Sequence, residues 1–370
     1  MKCQQLIACL LAAAGLSADL DNQIAATCPP KKAPAPQQIM MENHTNQGHM
    51  RSECDMVPGY NAPGRTDVCG KWDFFGSASF ILWQPRPTNI ALGNRDALTH
   101  EFVNPPQPGL RADLSNITMG FEYKPGFKLA FGTSFPHDNW GGLLEYTWLQ
   151  STVRKSASQA LPGHIEIPWI SGDNFNGTLA SSSNKWKFHY NCLDASIVRT
   201  GYVGTRFLLT PYTGLRFVSM YQKMDVDFIV RPNTTITFPG STTTKTDSWF
   251  LGPRAGMLAD WLLSPHFRMI GETALSLLYG HYDEKFEQYG NLATLTQGLA
   301  VKTRFTFDNF VPNLDLGFGF GYGRYVNSNK QHLDFVLRYD FLYYWDASHL
   351  IPTIGAVILQ GLTATFKVDF

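Results

Sequence analysis

Ten charged side chains are set into segments where apolar or aromatic residues recur at every second place: Glu145, Asp194, Arg216, Arg254, Asp260, Glu272, Asp334, Arg338, Asp340 and Lys367. In an extended chain, successive side chains point to opposite faces, so this spacing puts the charges on one face and the apolar residues on the other. A charge facing lipid would cost up to a few kcal/mol near the middle of a bilayer. If the apolar face meets lipid, the charged face must line an interior. Carboxylates interleaved with guanidinium and ammonium groups then have two uses. They pair into a closed plug of ion bridges, or they line a wet pore whose mixed charge sets ion preference. The expectation adopted is the pore, a channel for passive diffusion of ions and small hydrophilic solutes, with selectivity kept weak by the near balance of signs. The alternative is a structural or adhesive surface barrel that carries exposed Ser/Thr-rich loops and conducts little or nothing.

Other chemistry-bearing patterns are weaker. Gly317-Phe318-Gly319-Phe320-Gly321-Tyr322-Gly323 imitates a nucleotide-binding glycine loop, but that motif needs a strand, a tight turn and a helix. Glycines alternating strictly with aromatics fit the inner face of a strand whose wall must stay thin or curve. The sequence has no Ser, His and Asp at recognisable spacing, no Cys-x-x-Cys and no His-Glu-x-x-His. His137-Asp138 is the nearest approach to a catalytic pair, and its place in a turn favours capping. His44 and His49 lack companion ligands for a metal. The chain is read as no enzyme, with no cofactor and no metal. Cys28, Cys54, Cys69 and Cys192 are disulfide candidates in an oxidising compartment. A Cys54 to Cys69 loop is the pairing expected, with free or intermolecular thiols as the alternative.

Positioning those charges takes long alternating strands. In the last segment Leu362, Ala364, Phe366, Val368 and Phe370 point one way while Thr363, Thr365, Lys367 and Asp369 point the other. A terminal alternating strand ending on an aromatic resembles the signal by which outer-membrane barrels are recognised, so Phe370 is the expected assembly signal. Upstream segments repeat the pattern, and their apolar faces turn aromatic towards the ends, as interface girdles require. Short turns should lie in the periplasm and long loops outside. That parity orders the strands as outward 72–83, inward 116–133, outward 140–150, inward 186–199, outward 206–222, inward 247–263, outward 266–280, inward 313–325, outward 332–345 and inward 361–370. The fold expected is therefore an all-β, transmembrane antiparallel β-barrel of about ten strands. It becomes about twelve if Lys124-Pro125-Gly126 is a hairpin and Gly298 to Asn309 a strand of its own. The long outer links are placed at 151–185, 234–246 and 281–312.

The remaining segments fix location. Residues 1–18 read as an export signal: Lys2, a short apolar core from Leu6 to Leu16, then Ser17 and Ala18. Residues 19–70 form a Pro-rich, Cys-containing extension without periodicity, expected in the periplasm, and 71–370 form the barrel. The 30 basic and 30 acidic residues cancel, which excludes an electrostatic nucleic-acid binder. The expected location is the cell outer membrane. Expected partners are outer-membrane lipid, the barrel-assembly machinery, further copies of the chain in a homo-oligomer, and host or envelope components at the loops.

Several short motifs also carry a resemblance: Ser79-Phe80-Ile81-Leu82-Trp83-Gln84, His137-Asp138-Asn139-Trp140, Tyr146-Thr147-Trp148 and Pro211-Tyr212-Thr213-Gly214-Leu215-Arg216. Gly252-Pro253-Arg254-Ala255-Gly256, Gly271-Glu272-Thr273-Ala274, Leu277-Leu278-Tyr279-Gly280 and Gly361-Leu362-Thr363 follow in order. Together they resemble the Legionella-type major outer membrane protein family, whose relatives are numerous in chlamydia-related bacteria, over residues 72–370. The resemblance implies an abundant barrel with porin-like activity, and places Arg216 and Arg254 in its lumen. In chlamydial relatives it also implies cysteine cross-linking of the envelope, which the few cysteines of this barrel do not favour.

Overall fold

The computed structural model describes residues 74–90, 94–96, 114–135, 140–158, 164–166, 178–203, 205–231, 238–291, 296–328, 330–350 and 353–370. They form β1 (Phe74–Pro87), β2 (Asn94–Asp96), β3 (Leu114–Asn116), β4 (Lys124–Ser134), β5 (Trp140–Ser158), β6 (His164–Glu166) and β7 (Thr178–Arg199). The chain continues through β8 (Gly201–Tyr202), β9 (Phe207–Arg231), β10 (Phe238–Leu262), β11 (Phe267–Asn291), β12 (Thr296–Val326), β13 (Gln331–Leu350) and β14 (Thr353–Asp369). The export signal, the extension with Cys28, Cys54 and Cys69, and His137-Asp138 all lie outside the described residues.

Ten strands close into one antiparallel barrel in the order β1, β4, β5, β7, β9, β10, β11, β12, β13, β14. Closure is explicit in the register: Phe75 lies opposite Gly132 of β4 on one side and Asp369 of β14 on the other. β2, β3, β6 and β8 are short additions to this ring. Within the ring every strand has a partner on both sides, so no edge is left in lipid. Lys124-Pro125-Gly126 opens β4 and is no hairpin, so β4 starts at Lys124 rather than at 116. Gly298 to Asn309 is the first part of β12 and not a separate strand. The ten-strand expectation therefore holds, and the twelve-strand variant does not.

Both barrel ends, Phe74 and Asp369, lie at one rim together with the short turns 263–266 and 327–330. At the second turn Asn327 and Ser328 both have positive φ, 53° and 54°, the twist that fits a tight hairpin to its strands. The other rim departs from the expected loops. β10 begins at Phe238, β11 and β12 together take all of 281–312 except 292–295, and β5 and β7 claim much of 151–185. The stretches in β5, β7 and β10 are largely polar and so resemble loops in sequence, whereas 281–312 also carries Tyr282, Phe286 and Phe305. Pairing with an adjacent long strand extends each of them. A transmembrane strand needs about 9–11 residues. β9, β10 and β11 have 25 each and β12 has 31, so this side of the wall stands well beyond the membrane.

Outward faces are apolar in the lower wall, where Leu215, Leu251, Leu275, Phe318 and Phe366 are all exposed. Inward faces carry the charges, and the glycines of β12 make room for them. A Cβ on Gly319 would stand 2.4 Å from Cβ of Arg338, and one on Gly321 would stand 3.0 Å from the guanidinium carbon of Arg268. The stripe is thus a groove in which two arginines lie. Gly319→Val is expected to destabilise the barrel by about 2–4 kcal/mol, read as a lower urea midpoint of the heat-modifiable folded form.

Candidate functional site

At the short-turn end the lumen opens into a cavity of about 580 Å³ bordered by all ten of the inward charges identified above: Glu145, Asp194, Arg216, Arg254, Asp260, Glu272, Asp334, Arg338, Asp340 and Lys367. Alternation delivers them there, since each lies on the opposite face of its strand from a lipid-facing neighbour such as Leu144, Leu193, Phe217, Trp261 or Phe335.

The charges are organised as a network across the lumen. Arg216 of β9 is 2% exposed and grips Asp194 of β7 with two hydrogen bonds, Nε to Oδ1 and Nη2 to Oδ2, both 2.7 Å. It also reaches β12, donating to Asn313 Oδ1 at 2.6 Å and to Asp315 Oδ1 at 3.0 Å. Arg254 of β10 joins Asp315 at 3.0 Å and Glu272 of β11 at 3.4 Å, and lies over the ring of Tyr212. The Tyr212 hydroxyl donates to Glu272 at 2.6 Å. Arg338 of β13 pairs with Glu272 and with Asp340, and Lys128 of β4 lies between Glu145 at 3.5 Å and Asp340 at 3.8 Å. Four cations and five carboxylates from eight strands thus form one connected layer. Nearer the rim, Arg268 holds Asp260 and Asp334, while Lys367 and His332 flank Asp369.

Beyond this layer, on the long-strand side, the lumen is filled. Trp83, Trp186, Phe188, Tyr190, Phe250, Tyr282 and Tyr344 are almost completely buried inside the barrel. The Tyr190 and Tyr344 hydroxyls meet at 2.8 Å across it. The end of β13 also turns inward: the β13–β14 register shifts between Tyr344 and Ser348, and Asp346 takes a left-handed φ of 49°. Its carbonyls are then held by distant strands. Gln222 of β9 donates to Ala347 O at 3.0 Å, Tyr282 of β11 to Asp346 O at 2.9 Å, and Thr246 of β10 to His349 O.

His349 faces Glu284, Nδ1 to Oε1 at 3.3 Å, while its Nε2 lies 2.9 Å from Asp346 O. Since a carbonyl only accepts, Nε2 carries a proton. A neutral His349 then presents a bare Nδ1 to Glu284, whose Oε1 makes no hydrogen bond in this geometry, and only a protonated carboxyl could donate to it. The outward neighbours Asp283 and Lys285 place this pair above the apolar band. Burial pushes the Glu284 carboxyl up to about 7 and lowers His349, so that both groups favour their neutral forms. With its folded value raised, Glu284 contributes fully below its ordinary value near 4.5, and the contribution is lost as pH rises through about 7. Protease cleavage at the β13–β14 tip is expected to rise between pH 6 and pH 8.5 in the native chain and to stay level in Glu284→Gln, whose amide keeps the donor.

Sequence reading missed part of the site. Lys128, Tyr212 and Asn313 are network members, and only the alternation of Phe127, Leu129 and Phe131 around Lys128 signalled one of them. The buried aromatics were missed because Trp186, Phe188 and Tyr190 alternate just as a lipid-facing set would. Among the described residues the disulfide candidate Cys192 is a free thiol, buried in the layer with Sγ 3.6 Å from Asp194 Oδ1. Removing Arg216 as Arg216→Met would leave Asp194 short of its main partner inside the barrel, a loss of about 3–5 kcal/mol. Urea unfolding in detergent measures it, and Arg216→Met with Asp194→Leu should recover part of the loss.

Residues 67–370 match the family model described as Legionella pneumophila major outer membrane protein precursor. No curated protein matches the chain. Among solved structures it is similar to the outer membrane protease OmpT from Escherichia coli, at 12% identity over 83% of this chain and 99% of that one, with a TM-score of 0.45. It is also similar to the attachment invasion locus protein Ail of Yersinia pestis, at 12% identity over 80% and 99% with a TM-score of 0.22. The outer membrane channel DcaP of Acinetobacter baumannii gives 10% identity over 83% and 100%, with a TM-score of 0.17.

Proposed function

Since the chain belongs to the Legionella major outer membrane protein family and resides in the outer membrane, we propose that it is a porin-like channel for ions and small hydrophilic solutes, closed in the conformation described. The observation that carries this reading is the contrast between the two halves of the lumen. The outer half is filled by aromatic and aliphatic side chains, so this sequence has the means to plug a barrel with apolar groups. The membrane-level half instead holds Arg216, Arg254, Arg338, Lys128 and their carboxylates. Buried ion pairs are poor stabilisers compared with apolar packing, and a charged, open-mouthed cavity suits a solute path. Passage then requires the inward-folded end of β13 to withdraw.

The carboxylates of the layer outnumber its cations by one, which favours mild cation preference. Family membership supports a transport or envelope role over an enzymatic one. A second reading, a structural or adhesive barrel without conductance, is favoured by the complete burial of Trp83, Phe250 and Tyr344 across the lumen. Oligomer formation and contacts at the outer rim are compatible with both.

Single-channel recording of the refolded protein in a planar bilayer across a salt gradient tests the proposal. Brief, small openings are expected for the native chain. Gln222→Ala combined with Thr246→Val, which frees the β13 tip, should lengthen them severalfold, and Arg254→Gln should move the reversal potential further towards cations. A folded barrel that passes no current even with the tip freed would make the structural reading the leading one.

A further inference from the structure

Above the apolar band, the long strands carry cations in matched register on their outer face. Lys187 of β7 is directly opposite Lys223 of β9, Lys223 opposite Lys245 of β10, Lys245 opposite Lys285 of β11, and Lys285 opposite Arg304 of β12. Five neighbouring strands thus present a continuous row of five positive side chains. At about 4.8 Å per strand the row is about 19 Å wide. Like charges directly opposite one another in a sheet are destabilising, so four successive like pairs call for a compensating partner.

The row's position narrows the partner. In the same registers the last apolar row is Leu193, Phe217, Leu251, Tyr279 and Phe310, with Trp249 one step above it. The cations follow about six residues further along each strand, about 20 Å of strand and, with ordinary barrel tilt, about 15 Å of height. Lys245 reaches back towards the membrane over the ring of Tyr221 at 5.1 Å, and Lys285 and Arg304 turn the same way to Asp283, whereas Lys223 turns outward to Asp225. The row therefore lies level with the polar heads of outer-leaflet lipid.

Internal neutralisation is partial. Lys223 pairs with Asp225 and Lys245 with Asp247, both at 2.7 Å, while Lys285 and Arg304 share Asp283. Lys187 has no carboxylate partner among the described residues, and next to it Lys185 lies opposite Arg154 of β5. Exposed pairs of this kind are worth at most about 1 kcal/mol, so a multivalent anion can displace their carboxylates. An outer leaflet built of phosphorylated glycolipid offers that chemistry in the right plane.

We propose that the row Lys187, Lys223, Lys245, Lys285 and Arg304 is a docking surface for the phosphate- and carboxylate-bearing saccharide heads of outer-leaflet glycolipid. Each bound head replaces several weak internal pairs and relieves the like-charge row, so the glycolipid fastens the tall side of the wall.

The test uses refolded full chain in vesicles containing purified outer-membrane glycolipid, the same glycolipid with its phosphates removed, or phospholipid with inorganic phosphate. Heat-modifiable gel migration gives the unfolding temperature, and mass spectrometry gives the glycolipid retained. Native glycolipid alone should raise the unfolding temperature. Lys187→Gln/Lys223→Gln/Lys245→Gln should lose that rise and retain about tenfold to a hundredfold less glycolipid. Lys330→Gln, in the short turn at the opposite rim, should behave as the native chain. If the triple variant does not fold, Lys187→Gln alone breaks no ion pair among the described residues and should cost about threefold to fivefold. Unchanged retention in the folded variant, equal stabilisation by dephosphorylated glycolipid, or reproduction of the gain by inorganic phosphate would each overturn the proposal.

Discussion

A guanidinium removed from water must be given carboxylates in exchange, and inside this barrel that demand falls hardest on Arg216. Its own neighbour on β7 supplies Asp194, but the second acid, Asp315, comes from β12, two strands further round the wall than β10. The pairing is therefore a tie across the lumen, and other positions follow from it. Arg254 can approach only by sharing Asp315 and Glu272, Glu272 in turn fixes Arg338, and Arg338 needs the space that Gly319 leaves open. The charge layer and the glycine stripe are two sides of one packing requirement.

The outer half solves the same filling problem with different forces. There the closing contacts are stacked rings, as between Tyr282 and Phe307 at 4.8 Å, and side-chain donors aimed at the carbonyls of the inward β13 tip. Ion pairs of the first kind are stiff, since each cation of the layer is held by two carboxylates. A tip fastened by single hydrogen bonds to Ala347 and Asp346 can let go one strand at a time. In the proposed channel, motion would belong to the outer half for that reason, and the layer beneath it would set which charges meet a solute.

Much of this architecture was legible in the chain itself. Period-two alternation with charges at Asp194, Arg216, Arg254 and Arg338 gave the strands and their facing, because in lipid one misplaced charge is costly enough to fix the register. The parity of short turns gave ten strands. What stayed hidden lay above the membrane, where lipid no longer enforces the pattern. Thr242, Thr244 and Thr246 face inward and Thr243, Lys245 and Asp247 outward, a contrast too slight to separate strand from loop. Cross-strand relations were hidden too: nothing in the order of residues aligns Lys187 with Lys223 or aims Gln222 at Ala347, since both depend on register.

The seam between β1 and β14 has a consequence for how such a molecule comes into being. Phe75 pairs with Asp369 and Pro87 with Val357, so the ring is completed by the two most distant parts of the barrel sequence. No partial chain can close it, and until the last strand is available the growing sheet presents two open edges able to pair with any other strand. Sequence separation of this size also makes the closing step slow in its own right. Shielding one edge while strands are added would therefore favour closure over wrong pairing.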